Sequence, residues 1–377
     1  MPTPLPTPNP RPQPTPQPTP QPTPQPTPQP TPQPTPQPTP LHTSAVKEKP
    51  VIAVPMGDPA GIGPEILVKA LANPLLRESR VIVVGDRRIL HQAQSICKAR
   101  IEFSPVHTFD EAAFAPGCVP LLDLEVVDMD SFRYGVISAM CGQAAYACID
   151  KCIELALHRR VDAVATPPIH KEALRLGGID DVGHTEIFGR LTGTPDPLTM
   201  FQVEGLRVFF LTRHVSLRQA CDQITKERIM EYVARCTEAL RMIGVRDGTM
   251  AVAGLNPHSG EHGLFGDEES REILPAIQSL QSAGYDVAGP VSADSVFHLA
   301  RRGAFSSVLS LYHDQGHIAC KTLDFDRTIA LTLGMPILRT SVDHGTAFDI
   351  AGTGTASEVS MVEAIRIAEL YARHFSH

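Results

Sequence analysis

Along the chain, short continuous apolar runs alternate with segments whose apolar positions recur every three or four residues. Val51 to Val54, Val81 to Val84, Val161 to Ala165, Arg207 to Thr212, Met250 to Leu255 and Ser307 to Tyr312 are of the first kind. They have the length and β-branched content of strands buried on both faces. Thr225 to Ile243 is of the second kind, placing Ile229, Tyr232, Val233, Cys236, Leu240 and Ile243 on one helical face. A closing helix is expected from about Ser357 to Phe375, with Met361, Ile365 and Leu370 in its apolar stripe. Strands separated by amphipathic helices predict a layered α/β fold. The Gly/Asp-rich LGGIDDVGH interrupts the pattern and suggests a domain boundary near 175–185.

Residues 1–49 do not share this pattern. Proline occupies every even position from Pro2 to Pro40 in a Pro-Thr-Pro-Gln repeat. Each proline fixes φ and removes a backbone donor, so an extended polyproline II-like tail is expected, without a core and without a catalytic residue. The tail reads either as a docking spacer for a Pro-binding module or as an inert repeat. The remaining chain is long enough for one large α/β unit or two ordinary domains.

Composition narrows the class further. The net charge of −8 across 377 residues argues against a nucleic-acid or anionic-membrane partner, which would need clustered Lys and Arg. No apolar run reaches the ~18 residues of a membrane span, and no apolar leader opens the chain. The eight cysteines form no C-x-x-C pair. Buried free thiols in a reducing cytoplasm are therefore expected.

The candidate chemistry lies where strands end. Three apolar runs lead into a histidine each: His214, His258 and His313. Ligand sites of open α/β sheets collect beyond strand carboxyl ends, and three imidazoles can hold a divalent ion with positions left for substrate. The plainer alternative is that each histidine hydrogen-bonds its own turn. In GHTE, His184 and Thr185 offer a donor and a hydroxyl to an anionic ligand at a helix start. MGDPAGIGPE lacks the third glycine of a dinucleotide fingerprint. The stretch Asp343–Ala356 could wrap a cofactor with its backbone but has no strong strand before it. Lys321 and Arg339 flank the third histidine segment and suit phosphate or carboxylate.

Taken in order, MGDPAGIGPE, GHTE, GLNPHSGE, YHDQGH and RTSVDHGTAFDIAG resemble the motifs of the 4-hydroxythreonine-4-phosphate dehydrogenase family. The resemblance spans residues 51–356. It implies an isocitrate/isopropylmalate dehydrogenase-like architecture of two α/β domains with a cleft between them. The expected division is residues 50–178 plus 348–377 and residues 179–347. It implies a homodimer whose active site is shared between subunits. His214, His258 and His313 would be the ligands of one divalent metal ion (zinc, magnesium or cobalt). His184, Thr185, Lys321 and Arg339 would bind substrate, and His344, Gly345, Thr346 and Asp349 would bind NAD.

One position departs from the family. Ala330 stands where an Asn contacts substrate, and it offers no side-chain hydrogen bond. The substrate is thus expected to be 4-phospho-hydroxy-L-threonine or its sugar-acid relatives, D-threonate and D-erythronate 4-phosphate. Oxidation of the 3-hydroxyl would give a 3-keto acid that decarboxylates. The general base stays open between Lys321, Asp294 and a hydroxide on the metal. Two other readings remain: a cis-dihydrodiol dicarboxylate dehydrogenase, and a catalytically silent binding protein.

Overall fold

The structure is a computed structural model that describes residues 49–115 and 117–376. The repeat read above as an extended tail lies outside the described residues.

Among the described residues twelve strands form one sheet. They are β1 (Val51–Pro55), β2 (Arg80–Gly85), β3 (Glu102–Val106), β4 (Cys118–Asp123), β5 (Ala163–Thr166) and β6 (Leu198–Val203). The remainder are β7 (Leu206–Phe210), β8 (Met250–Ala253), β9 (Val287–Val291), β10 (Ser307–Ser310), β11 (Ile329–Leu333) and β12 (Arg339–Val342). Their order is β3-β4-β2-β1-β5-β12-β11-β6-β7-β10-β8-β9. The strands from β3 to β12 run parallel, as do those from β7 to β9. Between these two blocks, β11 is antiparallel to β12 and to β6, and β6 is antiparallel to β7.

The helices up to the hairpin are α1 (Gly63–Ala72), α2 (Arg87–Cys97), α3 (Ala139–Leu157), α4 (Lys171–Leu176) and α5 (His184–Leu191). After it come α6 (Leu217–Asp222), α7 (Lys226–Met242), α8 (Leu274–Ser282), α9 (Ala293–Arg301), α10 (His313–Leu323) and α11 (Val359–Ala372).

All six strands expected from apolar runs are present as β1, β2, β5, β7, β8 and β10. In α7 the Thr225 hydroxyl accepts from Arg228 N at 3.3 Å, and Ile229, Val233, Cys236 and Leu240 are buried. In α11 the stripe differs from expectation. Met361 and Ile365 are buried, but Leu370 faces solvent, and Ala368, Tyr371 and Ala372 continue the buried face. The cysteines are all free. Burial pushes the Cys148 and Cys320 thiols up to about 12, which keeps them protonated and unreactive.

The sequence reading missed the antiparallel middle. β12 ends directly before Asp343, so the glycine-rich stretch does follow a strand. Three of its four residues, Arg-Thr-Ser-Val, are polar, yet all four are buried: Arg339 donates across the sheet to Thr332, Thr340 to Ala364 O in α11, and Ser341 to the neighbouring Val342 O.

The two glycine-rich segments prove to be one packed unit. Gly61 lies so close to Thr346 that a Cβ there would come within 2.9 Å of its Cβ. One turn into α1, the buried Glu65 carboxylate accepts from Gly352 N and from Gly354 N at 2.6 Å. Lys69, four residues on, donates to Gly354 O and Ala356 O at 2.6 and 2.7 Å. The glycines of MGDPAGIGPE thus serve close loop packing, and α1 clamps the later loop from both charge signs.

The same segment stores a costly group. Asp58 is fully buried; its Oδ1 accepts from Ala60 N at 2.9 Å, whereas Oδ2 has no partner. Burial pushes its carboxyl up to about 6. A carboxyl whose folded pKa lies above its unfolded value favours the fold when protonated. That contribution is complete below about pH 4 and is lost as pH rises through 6, to a limit of ~2–3 kcal/mol. Asp58→Asn is therefore expected to raise the melting temperature relative to wild type at pH 8 and to lose that advantage at pH 4. A difference independent of pH would contradict this account.

Candidate active site

β12 opens with Arg339, which is only 4% exposed. Its Nε and Nη2 donate to Thr166 Oγ1 at the end of β5 (3.1 and 3.0 Å), and its Nη1 donates to Thr332 Oγ1 on β11 (2.7 Å). The guanidinium carbon stands 5.0 Å from the centre of the Phe188 ring on α5. Arg339 has no carboxylate in ion-pair contact among the described residues. Three of its five N–H donors are used, and the rest remain for a ligand. Burial pulls its pKa down to about 9, which still leaves it cationic at neutral pH.

His184 begins α5 one turn before Phe188. Gly183 caps this helix without a side-chain hydrogen bond, so the first-turn N–H groups stay unpaired by any cap. His184 Nε2 is buried with no partner. Burial, and then the Arg339 charge, hold its pKa well below the usual range, so the imidazole is neutral. His184 and Arg339, both expected to bind substrate, thus lie near enough for the guanidinium charge to act on the imidazole, and Thr185 follows His184 in the first turn of α5. A buried cation, an orphaned imidazole nitrogen and an uncapped helix start favour an anion.

A second group surrounds a cavity of about 540 Å³ lined by His214, His313, His317, Lys321 and Asp343. Three of these project from α10 at four-residue intervals, which places them on one helical face. The His214 and His313 rings are 5.9 Å apart. His313 Nδ1 lies 2.6 Å from Asp314 Oδ1, so it donates to that carboxylate and leaves Nε2 a free lone pair. Lys321 Nζ is 2.6 Å from Asp343 Oδ2, and burial raises the Asp343 pKa despite that bond. Burial likewise lowers the His214 pKa, aided by Arg213 and His313.

The third expected ligand is elsewhere. His258 is exposed in a turn, Pro257–Gly263, that follows β8. Five consecutive residues, His258 to His262, have φ between 43° and 80°. Such a run is costly for residues other than glycine and needs a brace. Glu269 supplies it: the buried carboxylate accepts from Leu255 N (2.8 Å), Asn256 N (2.7 Å) and Asn256 Nδ2 (2.8 Å). Asp294 opens α9, which packs against this turn and not against the Lys321 cavity. Among the described residues, no three His, Cys, Asp or Glu side chains of the chain are placed to hold a metal together.

A cavity of about 370 Å³ lies against the loop after β12, lined by His344 and Gly345 among others. His344 Nδ1 donates to Gly345 O (3.0 Å), and its Nε2 accepts from the Ser360 hydroxyl (2.7 Å). Thr346 is buried, its carbonyl accepting from Ile62 N, while Asp349 is exposed; neither lines this cavity. Phe325 lines both cavities, so they share a wall. Sequence reasoning did not single out His317, Thr166, Thr332 or Glu269. The HDQGH spacing, four residues apart at a helix start, was a usable signal for His317. The threonines carried none, since only sheet register brings them to Arg339.

A buried cation, an orphaned imidazole nitrogen and a half-buried Lys–Asp ion pair attached to one sheet suit an α/β protein with a small anionic ligand. Comparison with known proteins makes this specific. The family model described as "Pyridoxal phosphate biosynthetic protein PdxA" matches residues 77–368, and the chain belongs to that family. It is therefore an oxidoreductase of a dehydrogenase family with a mixed α/β fold. The chain is 57% identical over 331 residues to the "Putative D-threonate 4-phosphate dehydrogenase" of Clostridium botulinum, covering 88% of this chain and 99% of that one. The protein of the same name in Fusobacterium nucleatum is 58% identical over 327 residues, covering 86% and 98%. The crystal structure of 4-hydroxythreonine-4-phosphate dehydrogenase from Klebsiella pneumoniae superposes with a TM-score of 0.81 at 41% identity, covering 87% of this chain and 99% of that one. Among the described residues no helix is long and apolar enough to cross a membrane.

Replacing Arg339 separates binding from folding. Arg339→Gln removes a charge-assisted contact of ~1.5–3 kcal/mol, so KM for the anionic substrate should rise about 10- to 100-fold. The melting temperature should not fall much, because the lost charge had no buried counter-charge. Steady-state kinetics beside a thermal melt checks both.

Proposed function

We propose that the protein oxidises the 3-hydroxyl of a 4-phosphorylated hydroxy acid, with NAD as acceptor and a divalent metal ion, to a 3-keto acid that loses its carboxylate. The observation that carries this reading is the cavity where three imidazoles, Lys321 and Asp343 face one space, a shared wall away from the His344 loop. The relatives' names favour D-threonate 4-phosphate over the amino substrate.

Arg339, His184 and Thr185 hold an anionic end of the substrate at the start of α5, and their burial excludes competing water. Lys321 holds its Nζ toward the cavity and relays a proton. As it takes the proton of the reacting hydroxyl, it passes one to Asp343, whose raised pKa suits it as the final acceptor. The hydride leaves carbon 3 as that proton leaves oxygen. In the keto acid the electron pair of the bond to the carboxylate carbon moves toward the ketone as carbon dioxide departs, and the Lys321–Asp343 pair can return the proton.

NAD would supply the hydride acceptor, and His344, Gly345, Thr346 and Asp349 on the loop after β12 would hold it. A zinc, magnesium or cobalt ion held by His214 and His313 of one copy and His258 of a second would supply Lewis-acid polarisation of the hydroxyl and ketone oxygen. The donor set fits: His313 presents a free Nε2, and burial favours neutral His214. Exposed Leu264 and Phe265, 71% and 48% accessible beside His258, support a homodimer contact there. The same reading divides the body into residues 50–178 plus 348–377 and residues 179–347. It places the enzyme in the cytoplasm.

NADH formation with metal and three compounds tests the substrate: 4-phospho-hydroxy-L-threonine, D-threonate 4-phosphate and D-erythronate 4-phosphate. Turnover of the sugar-acid phosphates is expected. Silence on all three would remove the proposal. The shared site has its own test. His258→Ala and His313→Ala should each abolish turnover without lowering the melting temperature. Mixed after dissociation and reassociation, the two variants should regain about one quarter of wild-type activity, since half the dimers then carry one intact site. No recovery on mixing would argue against ligands drawn from two copies.

A further inference from the structure

We infer that His317 is a specificity residue, resting on the function proposed above: its Nε2 accepts a hydrogen bond from the substituent on the carbon beside the carboxylate. That makes a hydroxy acid the better substrate than its amino counterpart.

The ring is fixed from three sides. It stacks on His313 at 3.6 Å between centroids with planes 12° apart. It also packs edge to face with Phe201 and tilted against Phe210, at 4.3 and 4.4 Å between centroids. Nδ1 lies 2.8 Å from the His313 carbonyl oxygen, which can only accept, so Nδ1 carries the hydrogen. Nε2 is then left with its lone pair. It has no protein partner among the described residues and is not buried. Since the ring lines the cavity, that lone pair is available to a ligand.

Sheet register sets what lies near it. On β11, Ala330 lies directly opposite Ser341 of β12 and Phe201 of β6, and Thr332 lies opposite Arg339. Opposed residues share a face, as do positions two apart. Ala330 thus lies on the Arg339 face, on the strand between Arg339 and the Phe201 ring that supports His317, and it packs against the apolar cluster that holds Phe201 and Phe210. Its methyl group offers no hydrogen bond, so the polar contact to a substituent one carbon from the reacting hydroxyl falls to His317.

Charge decides between hydroxyl and ammonium. The carboxylates of the cavity are already engaged, Asp343 by Lys321 and Asp314 by His313. A substrate ammonium beside His317 would therefore meet the Lys321 cation with no unengaged carboxylate among the residues that line the cavity, whereas a hydroxyl donates to Nε2 at no such cost.

Isothermal calorimetry on the zinc-loaded full chain tests the assignment with D-threonate 4-phosphate and its 2-deoxy analogue. His317→Phe keeps a flat ring against His313 and Phe201 but removes the lone pair. It should weaken binding of D-threonate 4-phosphate about 3- to 10-fold and leave the 2-deoxy analogue unchanged. Zinc affinity, measured by chelator competition, should stay within about twofold. Equal loss on both compounds, or no loss on either, overturns the inference, as does a collapse of zinc affinity, which would mean that His317 only positions His313. Ala330→Asn should shift the binding preference toward 4-phospho-hydroxy-L-threonine. Binding of these compounds by wild type without NADH formation would defeat the proposed reaction while leaving the His317 result standing. If wild type binds neither compound, both fall.

Discussion

The structure turns on a guanidinium that the fold buries with no carboxylate in ion-pair contact among the described residues. Arg339 is held by Thr166 and Thr332, so one side chain ties β5, β11 and β12 together where the sheet changes from parallel to antiparallel. Hydroxyl oxygens satisfy donors but do not neutralise charge. The cation is therefore positioned by its neighbours and left in search of an anion. Removing an ion from water is expensive, so such a site favours an anionic ligand that brings the missing charge. His184 and the open start of α5 share that condition.

Around this centre, two irregular segments that carry candidate residues, the loop after β12 and the turn after β8, are each held by a buried carboxylate. Glu65 accepts from the backbone of the loop that follows β12, and Lys69 donates to it from the same helix face. Glu269 accepts three N–H groups and so holds a turn in which non-glycine residues adopt left-handed conformations. Both braces come from helical turns packed on the sheet. Loops that would otherwise sample many conformations present their groups in one, which is what binding and catalysis require.

Much of this was legible in the chain before any coordinates. Continuous apolar runs marked six of the twelve strands because a strand buried on both faces must be apolar on both. The stripe of α7 was readable for the corresponding reason at a 3.6-residue period. His184 and Arg339 were singled out separately and meet at one place. β6, β11 and β12 escaped notice. Their Thr, Ser, Gln and Arg residues look exposed one at a time and become buriable only when a neighbouring strand supplies the partner.

By itself, then, the sequence determined the α/β class, the six apolar strands, the family and the residue types of the site. These depend on local periodicity and on motifs contiguous in the chain. Tertiary structure alone decided that Arg339 has no carboxylate in ion-pair contact among the described residues, that Lys321 pairs with Asp343, and that His317 stacks on His313. It also decided that His258 lies apart from His214 and His313. Each of these is a relation between residues far apart in sequence or set by side-chain direction. A hydrogen-bond partner or a burial cost exists only once strand order and register have brought the groups together.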